Sequence, residues 1–294
     1  GGVTGGAVRE KIMISMTTLP GRIQQIEPTL LSLLAQTMPA DEVVISVPRV
    51  SDREGVEYPV PGWLKQLEAH GKSGGAGPRL RIRRIDQDFG PATKLIPSVI
   101  EAREQDGGDW LVVVVDDDTL YPPRLVETLV AWATKLPNAA VSFSGWPVKP
   151  GLDYPHWTEN YLVYGNELYA PHPVSIIRGN CGYLVRPRFF DESLWDFTDA
   201  PRGAFYMDDV WISGRLAVNK VERYVVPFDE DQFTMSPDLK NVTTLDSVTL
   251  NKNPRKRPSS GGTNNRAQAN EQALDHFKRH WDVKWDGRAF ALSR

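Results

Sequence analysis

Hydrophobic positions in this chain come in short runs whose period changes along its length. Lys11 to Met16 predicts a first strand, followed by the turn-forming loop Thr17-Thr18-Leu19-Pro20-Gly21-Arg22. Pro28 stands where a first helical residue would, ahead of an apolar stripe of Leu30, Leu31, Leu33 and Leu34 reaching about Gln36. Val43 to Val47 predicts a second strand. Between Pro48 and Pro78 the chain turns to Gly, Pro and charge, a long surface connection with one short helix near Trp63 to Ala69. Leu80 and Ile82 alternate with arginines as a third strand. Gly90-Pro91 then turns into a helix that Pro97 restarts or kinks before Val99 to Arg103.

The longest apolar run, Leu111 to Val115, ends in Asp116, Asp117 and Asp118. Branched apolar residues without alternation predict a strand buried on both faces of a parallel sheet. Pro123 opens the next helix, with Leu125, Val126, Leu129, Val130 and Ala133 on one face. Strand and helix thus alternate through the first 135 residues or so, which predicts a Rossmann-like, mostly parallel sheet. The later part is less regular. Strands are expected at Ala139–Gly145, Gly182–Arg186 and Tyr224–Val226, helices at about Asp209–Val218 and Glu271–Trp281, and a mobile loop over about 251–269. The expected organisation is one domain over 11–294, with a nucleotide-binding half (11–135) and an acceptor or catalytic half (136–294). Residues 1–10 form a flexible lead-in.

Composition narrows the class. A net charge of −3 argues against a general nucleic-acid binder. The single cysteine, Cys181, allows neither an internal disulfide nor a cysteine-rich zinc site. No apolar run approaches the ~18 residues of a membrane span. A cytoplasmic location is expected, or a secretory lumen if the natural protein carries an anchor. Asn241-Val242-Thr243, a glycosylation sequon, matters only in the second case.

The three consecutive carboxylates require cations, donors or water around them, and the C-terminal edge of a sheet is where α/β folds bind ligands. A hard divalent ion carrying phosphate oxygens suits them, with Asp116 at the ribose or a metal-bound water and Asp118 ligating the ion. The bland alternative is a cap on the helix that follows.

Five segments in order resemble the metal-dependent nucleotide-sugar glycosyltransferases of the GT-A fold, family 2-like: ISMTTLPGR (14–22), DFGPATK (88–94), VVVVDDDTLYPP (112–123), RGNCGYLVRP (178–187) and FYMDDVWIS (205–213). The resemblance implies a GT-A sheet flanked by helices, with the Asp-x-Asp motif at Asp116 and Asp118 binding Mn²⁺ or Mg²⁺ and, with Asp117, the donor. It implies Thr17, Thr18 and Arg22 around base and ribose, and Lys94 near the diphosphate, where a helix N-terminus would add its field. It implies Asp209, with Asp208 beside it, as general base of an inverting enzyme, though two acids before an apolar run also mark a helix start. The donor is expected to be UDP- or GDP-linked and the acceptor a glycan or other hydroxyl compound, in carbohydrate biosynthesis.

Other residues fit blander roles. Asp86 and Asp88 suit turns or caps as well as ligands. Gly179 and Gly182 suit a tight turn. Among Trp146, Tyr154, Trp157, Tyr161, Tyr164, Tyr169 and Trp211, the two picks for stacking a sugar are Trp146 and Trp211. His276 and His280 have metal-binding spacing but read as surface or packing residues. Arg255, Lys256 and Arg257 read as a solvated charge run, before a loop closing over diphosphate or a nucleic-acid patch. Two other functions compete: a haloacid-dehalogenase-like phosphatase using the Asp116 motif, and a sugar- or nucleotide-binding protein without turnover.

Overall fold

A computed structural model of the chain describes residues 10–71, 77–106, 110–148, 161–229, 234–235 and 265–281. Along them run β1 (Lys11–Met16), α1 (Glu27–Leu34), β2 (Glu42–Pro48), α2 (Gly62–Gly71), β3 (Arg79–Ile85), α3 (Ile96–Asp106) and β4 (Trp110–Val114). Then come β5 (Thr119–Leu120), α4 (Leu125–Lys135), β6 (Ala139–Ser142), β7 (Ser144–Trp146), β8 (Val163–Tyr164), β9 (His172–Pro173) and β10 (Ile176–Ile177). Last are β11 (Tyr183–Val185), α5 (Asp208–Val218), β12 (Glu222–Val225), β13 (Thr234–Met235) and α6 (Asn265–His276).

Eight strands form one sheet in the order β3-β2-β1-β4-β11-β6-β12-β9. The pairings β3–β2, β2–β1, β1–β4 and β6–β12 are parallel, whereas β11 runs antiparallel to both neighbours and β9 antiparallel to β12. The sheet is mixed and mostly parallel, as the alternation of elements predicts.

Side-chain alternation explains why the central strands carry no polar face. On β1 and β4, Ile12, Ile14, Leu111 and Val113 pack with Leu30 and Leu33 of α1 and Leu125, Val126 and Leu129 of α4. Met13, Val112 and Val114 face the opposite layer, with Ile96 and Val99 of α3 and Val210, Trp211 and Leu216 of α5. Helices on both faces bury the sheet, so only its edges and strand ends reach water.

Several elements depart from expectation. The segment expected as one strand over Ala139–Gly145 breaks at Phe143, and Ser144–Trp146 joins a separate three-stranded sheet with β8 and β10. The last helix starts at Asn265, so the final residues of the expected mobile loop are helical, and it ends at His276 because turns replace it toward Trp281. The rest of that loop lies outside the described residues, with Arg255, Lys256, Arg257, the sequon and the lead-in before Glu10. Trp146 and Trp211 are corrected as stacking platforms. They are 3% and 0% exposed, and Trp211 stacks on Phe197 at 4.4 Å while its indole N–H donates to the Leu194 carbonyl. His276 lies against the Trp211 ring, in keeping with packing. Tyr154 and Trp157 lie outside the described residues. Among the described residues, no helix is long and apolar enough to cross a membrane.

Candidate functional site

Beyond Val114 the β4 chain leaves the sheet, and Asp116, Asp117 and Asp118 follow at its C-terminal edge. They do not cap α4, whose N-cap is Arg124, with no side-chain cap bond. Two cations compensate them instead. Arg22, in the turn after β1, reaches Asp117 at 2.6 Å and Asp118 at 3.0 Å. The Thr18 hydroxyl donates to the other Asp117 oxygen at 2.6 Å. Burial raises the Asp117 carboxyl to about 6 even though Arg22 pulls it down. Asp117 is therefore the interior anchor of the turn, clamped on both oxygens.

Lys94 compensates Asp116. It closes a 3₁₀ turn over Gly90–Lys94, two residues before α3 rather than in that helix's first turn, because Gly90-Pro91 makes a tight bend. Gly90 takes φ +60°, and its Phe205 contact leaves no room for a Cβ. The lysine is 5% exposed, and its Nζ lies 2.6 Å from Asp116 and 2.6 Å from Asp208. Burial alone would lower this amine; Asp116 and Asp208 outweigh it and hold the amine well above its ordinary value. Gly179 gives the amine its space, since a Cβ there would stand 2.4 Å from Nζ.

Asp208 and Asp209 open α5, but its N-cap is Met207 and neither carboxylate caps the helix through its side chain. Asp208 turns to Lys94, and Asp209 accepts the Gly179 N–H at 3.0 Å. Burial, reinforced by Asp208, pushes the Asp209 carboxyl up to about 7 against the pull of Lys94. A carboxylate with that affinity for protons takes one near neutral pH.

All these groups line one cavity of about 480 Å³. It gathers Thr17, Thr18, Arg22, Lys94, Asp116, Asp117, Asp118, Asp208 and Asp209, from turns far apart in sequence. The reading from sequence missed Arg53, Tyr58, Arg178, Asn180 and Tyr206 as lining residues. Arg53 and Tyr58 come from the loop after β2, where Val50 bridges Glu57; its Gly, Pro and charge content conceals any pattern. Arg178 and Asn180 sit within the motif RGNCGYLVRP, so a signal for them existed. Asp88 serves as a turn anchor, accepting the N–H groups of Asp52 and Gly90, each at 2.7 Å. Asp86 pairs with Arg49 in solvent.

Among the described residues, no three His, Cys, Asp or Glu side chains converge as a metal site. One oxygen of Asp116 and one of Asp118 stay outside the ion pairs with Lys94 and Arg22. That donor set does not make a closed protein cage. It fits a hard cation that shares its shell with phosphate oxygens and water.

No protein-family model matches the chain, and no curated protein matches it. Among solved structures it is similar to S. aureus TarS 1–349, at 14% identity and a TM-score of 0.45, over 93% of this chain and 72% of that one. The same fragment in complex with UDP gives 15% identity and a TM-score of 0.45, with the same 93% and 72% coverage. A further structure of S. aureus TarS gives 16% identity and a TM-score of 0.45, over 93% of this chain and 44% of that one.

Proposed function

We propose that this chain is a glycosyltransferase moving a sugar from a nucleoside-diphosphate donor to a hydroxyl acceptor with inversion. One observation carries the reading. An acidic turn bound by Arg22 and Lys94, and a second carboxylate pair whose Asp209 titrates near neutrality, face the same cavity. Proton transfer and the handling of a phosphate leaving group both need such a juxtaposition.

In this reading Thr17, Thr18 and Arg22 border the base and ribose, and Asp117 holds Arg22 and Thr18 in place. Asp116 and Asp118 would hold Mn²⁺ or Mg²⁺ together with the donor, and that ion would supply positive charge to the departing diphosphate. Asp209 takes the proton of the acceptor hydroxyl while the acceptor oxygen bonds to the anomeric carbon. The bond from that carbon to the phosphate oxygen breaks, and the nucleoside diphosphate leaves with the electron pair. Asp208 fixes Lys94 beside Asp209, keeping one compensating cation next to two acids. UDP- and GDP-sugars are the donors to test first.

The test is a panel of UDP- and GDP-sugars assayed for hydrolysis and transfer, with Mn²⁺, with Mg²⁺ and with chelator, on wild type and Asp209→Asn. Turnover of one donor that Asp209→Asn abolishes while nucleotide binding persists is the expected result. Turnover untouched by that substitution removes the proposed base, and nucleotide binding without turnover of any donor leaves a binding protein.

A further inference from the structure

Four cations line the cavity, and their situations differ. Arg22 and Lys94 are each taken up by two carboxylates, and Arg53 lies 5.8 Å from the Tyr206 ring centroid. Arg178 makes no ion pair among the described residues. It precedes the 3₁₀ turn Gly179–Cys181, and its backbone N–H donates to the Ser144 carbonyl at 3.0 Å. One guanidinium nitrogen donates to the Ser144 hydroxyl at 3.2 Å, and that hydroxyl in turn donates to the Asn180 side-chain carbonyl at 3.5 Å. Ser144 is fully buried on β7, so a rigid hydroxyl sets both side chains at the cavity wall. The remaining guanidinium N–H groups and the Asn180 amide N–H groups have no partner among the described residues.

Six carboxylates line the same cavity, so an anion entering it meets repulsion unless a guanidinium not already neutralised receives it. Arg178 stands next to Gly179, whose N–H holds Asp209, and its charge acts on Asp209. Its place is on the Asp209 side of the cavity. We propose that Arg178 and Asn180 form an oxyanion subsite that takes a carboxylate or phosphate group of the acceptor.

Assignment of the subsite to the acceptor rests on the transferase reading; the anion subsite itself rests on the geometry alone. The probes are methyl glucuronide and glucose 6-phosphate, with methyl glucoside as neutral control, titrated into the full chain by ligand-observed NMR with and without UDP. At least one acidic probe should bind about tenfold tighter than the neutral one, as a charge-assisted bidentate contact provides. Arg178→Met should erase that difference, Arg178→Lys should keep part of it, and UDP affinity should change by less than about threefold in either variant. Equal binding of acidic and neutral probes by wild type overturns the subsite. A tenfold loss of UDP affinity in both variants overturns it as well, by assigning Arg178 to the donor diphosphate. A wild-type chain that binds an acidic probe through Arg178 but never binds a nucleotide sinks the transferase reading and upholds the subsite.

Discussion

In the proposed reaction Asp209 is the base, and burial is what would make it usable. An aspartate at its ordinary value would be a weak base at neutral pH; desolvation beside Asp208 raises it to about 7. Only the deprotonated form accepts a proton, so kcat/KM should rise with pH through about 7 and level off above it. Asp209→Asn should lower kcat by about 10²–10⁴-fold and leave UDP affinity in place. The same group bears on stability. Its folded value lies above the unfolded one, so its stabilisation is full below the unfolded value and is lost as pH rises through about 7. Asp209→Asn, free of that loss, should melt about 3 °C higher than wild type at pH 8, and a smaller gain at pH 8 than at pH 5 in thermal scans would contradict this.

Turns, more than helices or strands, set the site. Gly90 combines φ +60° with a Cβ position 2.8 Å from both the ring and the carbonyl of Phe205. Gly90→Ala should therefore cost about 2–3 kcal/mol, read as a lower urea midpoint at unchanged m. Gly179 answers differently, because its added methyl would meet the movable end of Lys94 at 2.4 Å. Gly179→Ala should lower the melting temperature less than Lys94→Met does while activity falls steeply, since Lys94 must leave Asp116 or Asp208 but keeps the other. Parallel melting and activity losses would mean that the turn has only a packing role. Strand and helix existence was readable because β4 carries an unbroken apolar run, β1 and β2 carry apolar runs interrupted by a single serine each, and α4 carries a helical stripe. The break at Phe143 was not readable, since Ser142 and Ser144 are fully buried polar residues whose partners come from elsewhere in the chain.

At the scale of the whole molecule, Lys94 ties the two halves of the chain together. It joins Asp116, after β4 at the end of the first half's strands in the eight-stranded sheet, to Asp208, at the head of α5 in the second. Lys94→Met should cost about 3–5 kcal/mol by leaving two partly buried carboxylates without their cation. Asp209, whose raised carboxyl Lys94 pulls back down, would then hold its proton to higher pH, so the deficit in chemical unfolding should be larger at pH 8 than at pH 5. A deficit independent of pH would show that lost packing, not lost charge, is responsible. UDP should raise the melting temperature of wild type, by an amount equivalent to about 2.7 kcal/mol at one hundred times its Kd.

By itself the sequence determined the alternation of elements, the burial of β4 on both faces, and the residue types at the acidic turn and at the head of α5. Those follow from local pattern, because apolar period and turn chemistry act over a few neighbours. Only the tertiary structure decided which cation meets which carboxylate, that Asp117 faces inward to Arg22 and Thr18, and that Lys94 precedes its helix and spans both halves. It likewise withdrew Trp146 and Trp211 into the core and brought Arg53, Arg178 and Asn180 to the cavity wall. Charge pairing and burial depend on where the sheet brings distant turns together, and no local pattern in the chain encodes that meeting.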